Sequence, residues 1–222
     1  MLTRTKPKAL DLFCCAGGAG MGLWQAGFEV VGVDIEPQHR YPFEFHQADA
    51  MTFPLDGFDF IWASPPCQGY SHLTPKDAKK RWVKLIPAIR ARLVKAGVPY
   101  CIENVVGARQ QLVRPCLLCG SMFGLRTQRH RLFETSFSTA PPRTCDHSQI
   151  PLLVTTASKA SREKRFKLGM PPKTVKNAPL AYGIDWMDFN GLKEAIPPAY
   201  AKFIGTAAMA YIKQTQAVGL CV

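Results

Sequence analysis

No apolar run in the 222 residues approaches the roughly 18 that a membrane span needs, so an integral membrane protein is excluded. Met1 to Lys8 is basic, but the apolar stretch after it is too short and too glycine-rich for a signal-peptide core, so no secretory leader is expected. The chain is therefore expected to stay in the cytoplasm. No internal repeat or low-complexity tract occurs. Acidic residues are few, 16 against 28 Lys and Arg, for a net charge of +12. That excess favours a polyanionic partner, nucleic acid before an anionic membrane. Disulfide-dense scaffolds are smaller and poorer in aliphatic residues than this chain, so its eight cysteines should mostly be reduced and read as core, catalytic or metal-binding thiols. The length suits one full domain with a small appendage.

Short apolar runs alternate with helix-like stretches over the first hundred residues. Ala9–Phe13, Val30–Val33, Phe58–Ala63 and Val98–Ile102 read as buried strands. Between the last two, Trp82, Ile86, Ile89 and Leu93 recur at helical spacing within 77–96, and Pro87 should kink or split that helix. Such alternation predicts an α/β fold with a mostly parallel sheet covered on both faces. From Pro197 the pattern is helical again, with Phe203, Ala207, Ala210 and Tyr211 on one side. Residues 135–180 differ in texture. They carry eight Lys and Arg (Arg143, Lys159, Arg162, Lys164, Arg165, Lys167, Lys173 and Lys176) against Asp146 and Glu163, with Pro pairs at 141–142 and 171–172. This is either a solvated loop region or a small phosphate-gripping insertion.

The first predicted strand ends in Asp11-Leu12-Phe13 and runs into Cys14-Cys15-Ala16-Gly17-Gly18-Ala19-Gly20-Met21-Gly22. Glycines at a strand-to-helix turn let a ligand approach the backbone and the helix N–H groups. Asp34, some twenty residues on, is placed to bind ribose hydroxyls, and Asp49 to reach an adenine amino group. The spacing is not that of a nicotinamide-binding turn, and a purely structural turn remains the alternative. After the third run comes Ser64-Pro65-Pro66-Cys67-Gln68-Gly69-Tyr70-Ser71, where two prolines fix the course of the chain before the Cys67 thiol. Thiols attack as thiolates, so Cys67 requires cations or donors nearby. Glu103-Asn104-Val105 ends the next run, and a carboxylate facing a thiol across a crevice is an acid or a hydrogen-bond clamp. In Arg126-Thr127-Gln128-Arg129-His130-Arg131, a strand would put Arg129 and Arg131 on one face as a double cationic fork.

In this order, the segments resemble the cytosine C5 DNA methyltransferases, as a small member of phage or bacterial type. Asp11-Leu12-Phe13 with Gly17, Gly18 and Gly22 is similar to that family's cofactor motif, Pro65-Pro66-Cys67-Gln68 to its catalytic loop, Glu103-Asn104-Val105 and Arg129-x-Arg131 to its next two motifs, and Ala195-Ile196-Pro197-Pro198 to its C-terminal motif. The resemblance implies a Rossmann-like methyltransferase domain, S-adenosylmethionine as donor (S-adenosylhomocysteine as product) and cytosine in double-stranded DNA as acceptor. It implies Cys67 as nucleophile toward C6, Glu103 as the clamp and proton donor at the N3 edge, Arg131 on the base carbonyl, and Arg129 holding the pocket and the thiolate. Acceptors other than DNA (an RNA such as tRNA), or a sulfonium donor carrying another group, are the alternatives.

The residues assigned to the cofactor are therefore Asp11, Phe13, Gly17, Gly18, Asp34, Ile35, Asp49, Pro65, Glu194 and Ala195. Those assigned to nucleic acid are Gln68, Ser71, Arg143, Lys159, Arg162, Lys164, Arg165 and Lys167. The expected organisation is a catalytic domain over 1–134, target recognition over 135–180, and a segment over 181–222 that returns to the catalytic domain, with no obligate protein partner. The family pattern is departed from at Cys15 (often glycine), Ile35 (often an aromatic), Thr127 (commonly glutamine) and Lys193-Glu194 (usually Gly-Asn). Cys116-x-x-Cys119 and Cys145-x-His147 have metal-ligand character, but the first pair is apolar enough to be core, so no metal is assigned. His130 reads as a surface or packing residue.

Overall fold

The computed structural model describes residues 6–148 and 175–219. Seven strands form one sheet: β1 (Lys8–Leu12), β2 (Glu29–Asp34), β3 (Glu44–Gln47), β4 (Phe60–Ala63), β5 (Tyr100–Asn104), β6 (Cys116–Leu118) and β7 (Arg131–Thr135). Their spatial order is β3-β2-β1-β4-β5-β7-β6. The first five pair in parallel, whereas β7 runs antiparallel to both β5 and β6. Helices α1 (Gly18–Gln25) and α3 (Ile86–Ala96) lie in the β1–β2 and β4–β5 connections, which is how parallel neighbours must be joined. The short α2 (Lys76–Lys79) precedes α3, and α4 (Ala178–Tyr182), α5 (Phe189–Glu194) and α6 (Pro198–Gly219) close the chain.

The four apolar runs became β1, β2, β4 and β5 because their side chains are buried on both faces. In β4, Phe60 and Trp62 point to the layer shared with α1 and α6, while Ile61 and Ala63 point to the layer under α3. β3 was not foreseen: it is an edge strand with mostly exposed side chains, so it carries little hydrophobic signal. The expected helix over 77–96 is split, with Pro87 in the first turn of α3, where its missing N–H costs nothing. Ile86, Ile89 and Leu93 are core, but Trp82 lies outside the helix and is 45% exposed.

In α6 the buried stripe is Tyr200, Ala201, Ile204, Ala208 and Ile212, about one position away from the expected one; Phe203 and Ala207 are half-buried, and Ala210 and Tyr211 exposed. Lys202, Thr206 and Lys213 mark the exposed face of the helix, but among the apolar residues around the rest of it the sequence alone does not fix which stripe lies deepest. Close approach of α1 does. A Cβ on Gly22 would overlap Pro198 O and stand 2.6 Å from Lys202 N. The C-terminal segment also covers the first turn, as Ala16 packs with Ala181, Tyr182, Met187 and Leu192 and accepts a hydrogen bond from Trp186 Nε1 at 2.9 Å. No helix among the described residues is long and apolar enough to cross a membrane.

Candidate active site

Strand order reverses between β1 and β4, so the loops leaving their C-terminal ends diverge and open a crevice. The glycine turn after β1 and the Ser64–Cys67 loop after β4 stand on its two sides. Between them lies a cavity of about 290 Å³, lined by Asp11, Phe13, Gly18, Asp34, Ile35, Pro65, Cys67, Gln68, Glu103, Arg131, Glu194 and Ala195 among others. Small-molecule sites run from about 300 Å³ upward, so this one sits at the lower edge of that range. A broader hollow at the other end of the parallel strands, lined by Pro99, Tyr100 and Thr135 among others, has one buried acid, Glu134. That carboxylate is already bound by Arg90 at 2.6 Å and Val113 N–H at 2.7 Å.

On the glycine side, Gly17 takes φ 86° to start α1, and Phe13 and Cys15 also adopt left-handed backbone (φ 58° and 45°). Non-glycine residues pay about 1–2 kcal/mol for this conformation. Cys15 is therefore a departure in backbone preference more than in size, since glycine would enter this turn without strain. Asp34 holds the turn closed by accepting Cys15 N–H at 2.9 Å, and Glu36 N–H at 3.0 Å, while also lining the cavity. Asp11 is fully buried. One oxygen accepts from Tyr41 Oη at 3.2 Å, and the other, Oδ1, has no protein partner. Burial pushes its pKa up to about 8, against the hydrogen bonds from Tyr41 and from the Gly20 backbone. A buried oxygen awaiting a donor, a glycine cradle and Ile35 on the wall (65% exposed) suit a ligand with an ammonium or hydroxyl groups and a flat apolar ring.

On the thiol side, Tyr70 and Ser71 N–H both donate to Cys67 O at 2.9 Å, closing the loop into a tight turn. Asn104 was not singled out from sequence. Its Nδ2 donates to Pro65 O at 2.8 Å and its Oδ1 accepts Val105 N–H, so the residue after Glu103 positions the loop that carries Cys67. Glu103 and Arg131 share a face because Glu103 lies opposite Phe133 in the β5–β7 register. Arg131 Nε stands 3.0 Å from Glu103 Oε1. Burial pushes the Glu103 carboxyl up, opposed by Arg131, Arg129 and the Ser64 hydroxyl, which itself accepts Trp62 Nε1–H at 2.8 Å. The Cys67 thiol is also raised, by burial and then by Glu103, while Arg131 pulls it down.

The expected arginine fork is not what forms. The strand begins at Arg131, which lines the cavity, whereas Arg129 is buried outside the lining. Its Nη2 donates to Lys193 O at 2.6 Å, its guanidinium lies over the Tyr182 ring at 5.8 Å, and its carbonyl accepts from Tyr200 Oη. Because it is the Lys193 carbonyl that takes Arg129, the side chain at 193 is free to differ from the family's usual residue. Asp49 also stands outside the lining. It is exposed and accepts Met51 N–H at 2.8 Å, capping a turn after β3. Gly17 is likewise not on the wall; it packs on Tyr41 and Pro42.

Gln68 lines the cavity with a buried, unpartnered Oε1, and Ser71, three residues on, is half-buried outside the lining. Arg143 is exposed, with Nε donating to Met122 O at 2.8 Å. Lys159, Arg162, Lys164, Arg165 and Lys167 lie outside the described residues. Trp82, expected in the core of a helix, instead lines the cavity. Every cysteine among the described residues is a free thiol. Cys116 is core, as its apolar setting implied, but His130 is not simple packing: its ring sits 5.0 Å from that of His147.

Residues 8–117 match the model of the C-5 cytosine-specific DNA methylase family. No curated protein matches the sequence. Among solved structures, an E. coli prophage protein described as a DNA modification methyltransferase aligns with a TM-score of 0.61 at 15% identity, over 94% of this chain and 99% of its own. The S. pombe Dnmt2 methyltransferase aligns at 0.58 and 12%, over 93% and 99%. At these identities the likeness is one of fold, and the family rests on the matched residues, which include the glycine turn, Cys67 and Glu103. The chain belongs to the C-5 cytosine-specific DNA methylases, methyltransferases whose donor is S-adenosylmethionine.

Proposed function

We propose that this protein methylates C5 of cytosine in double-stranded DNA through a transient bond between Cys67 Sγ and C6 of the base. The observation that carries the reading is the convergence of Cys67, Glu103 and Arg131 with Asp11, Asp34 and the glycine turn on one cavity. S-adenosylmethionine, when bound, supplies an electrophilic methyl group on a sulfonium. Its holders would be Asp11, Phe13, Gly18, Asp34, Ile35, Pro65, Glu194 and Ala195, with Gly17 shaping the turn. Asp49 would need to leave its cap to take part.

C5 of cytosine is a weak carbon nucleophile. Addition of the Cys67 thiolate to C6 moves the C5=C6 electron pair toward C5, and N3 takes up a proton as it does so. Glu103 is suited to give that proton, because burial keeps its carboxyl protonated to higher pH than an exposed one. The thiol loses its own proton before attack, and Arg131, with Arg129 farther back, favours the anion. Arg131 would then hold the base carbonyl while Arg129 braces the Lys193 peptide. Once C5 carries the new methyl, loss of the C5 proton to solvent and departure of Cys67 as thiolate restore the double bond, and the N3 proton returns to Glu103. Both ring carbons are stacked in a duplex, so the base must swing out, at a cost of a few kcal/mol. Residues 135–180 would offset this through phosphate contacts and carry target recognition, with Gln68 and Ser71 beside the extruded base.

Radiolabelled methyl transfer to duplex DNA and to tRNA, compared side by side, tests the acceptor; label in RNA alone overturns the DNA reading. Mass spectrometry of the product nucleoside identifies the group transferred. Cys67→Ala should abolish transfer, and the covalent complex with 5-fluorocytosine duplex, while leaving duplex binding intact. Persistent turnover in that variant would remove Cys67 from its role.

A further inference from the structure

Four side chains gather in a cluster that methyl transfer leaves unused, and none of them lines the active-site cavity. Cys119 directly follows β6, His130 directly precedes β7, and Cys145 and His147 come from the segment after β7. Cys119 Sγ lies 3.3 Å from His147 Nε2, and Cys145 Sγ lies 3.7 Å from His130 Nε2. All four donor atoms fall within 4.8 Å of one another. Thiol–imidazole hydrogen bonds would satisfy each pair separately but give no reason for the two pairs to converge.

A tetrahedral ion does. With zinc–sulfur and zinc–nitrogen bonds of about 2.3 and 2.0–2.1 Å, neighbouring sulfur and nitrogen ligands stand about 3.5 Å apart. The two observed separations bracket that value. Two thiolates with two imidazoles and no carboxylate are the donor set zinc favours, and four protein ligands leave no open position for chemistry. Supporting contacts are already in place. Ser121 Oγ donates to Cys119 Sγ at 3.3 Å and accepts Asp146 N–H at 3.1 Å, and Arg143 ties the same loop to Met122 O.

We propose that Cys119, His130, Cys145 and His147 bind one structural zinc ion, which fastens the segment leaving β7 to the end of β6 and to the peptide between Arg129 and Arg131. His130 O accepts from Arg131 Nη1 at 2.9 Å, so an ion gripping His130 also steadies the arginine that meets Glu103.

The test is the metal content of the full chain, purified under reducing conditions without chelator. About one zinc per chain is expected by elemental analysis. Cobalt(II) replacing it should show the visible bands of a tetrahedral thiolate site. Cys145 and His147 are exposed, so Cys145→Ser with His147→Ala should keep the circular dichroism of the fold and lose the metal, while Cys116→Ala should keep both. A wild-type chain that takes up neither ion on titration overturns the site, and so does a double variant that retains zinc at full occupancy. Neither result depends on methyl transfer, so the metal site and the active-site reading stand or fall separately.

Discussion

Asp11 offers a sharp test of the cavity's electrostatics. Burial raises its pKa from 3.8 to about 8, so in the folded protein the carboxyl stays neutral up to that pH, while in the unfolded chain it ionises near 4. For an acid whose folded pKa is raised, the unfolded state gains from ionisation first. Stability from this group is therefore fully present below pH 4, falls as pH climbs toward 8, and then levels off. Each pH unit in that window costs about 1.4 kcal/mol, so between pH 5 and 8 the wild type should lose roughly 3–4 kcal/mol relative to Asp11→Asn. The amide keeps an oxygen for the Tyr41 hydroxyl and does not titrate. Urea denaturation of both proteins across pH 5–8 measures the difference directly, and carboxyls not coupled to Asp11 cancel in the comparison. Stability curves that run parallel, within about 1 kcal/mol, would show that burial does not keep this proton on.

Other substitutions probe the positioning around the cavity. Cys15→Gly relieves a left-handed backbone at φ 45° and should raise stability by about 0.5–1 kcal/mol after the extra unfolded-state entropy of glycine, read as an increase in denaturation midpoint. Asn104→Ala removes the donor to Pro65 O and leaves a buried carbonyl unpaired; about 1–3 kcal/mol of stability should go, with kcat falling more than duplex affinity changes. Gly22→Ala drives a methyl into the backbone of α6 at Pro198 and Lys202, and should cost at least about 3 kcal/mol in a thermal melt, with loss of the folded state as the limiting outcome.

Much of the molecule was legible in the chain itself, and for a local reason. Doubly buried parallel strands must be continuously apolar, so 9–13, 30–33, 58–63 and 98–102 announced β1, β2, β4 and β5. A glycine-rich turn and a proline-fixed thiol are likewise short-range devices, and both lie where the pattern placed them. Tertiary structure decided whatever depended on a partner from elsewhere. The α6 stripe depends on how closely Gly22 lets α1 approach, and the edge strand β3 on pairing with β2 rather than on burial. The roles of two arginines only two residues apart were separated by where β7 begins: Arg131 reaches Glu103, and Arg129 is taken up by Lys193 and Tyr182. Cys116 and Cys119 both entered the core, but only Cys119 was brought within reach of His130, Cys145 and His147. Periodicity reports how a residue relates to its own segment; the company a side chain keeps with distant parts of the chain is set only when the sheet assembles.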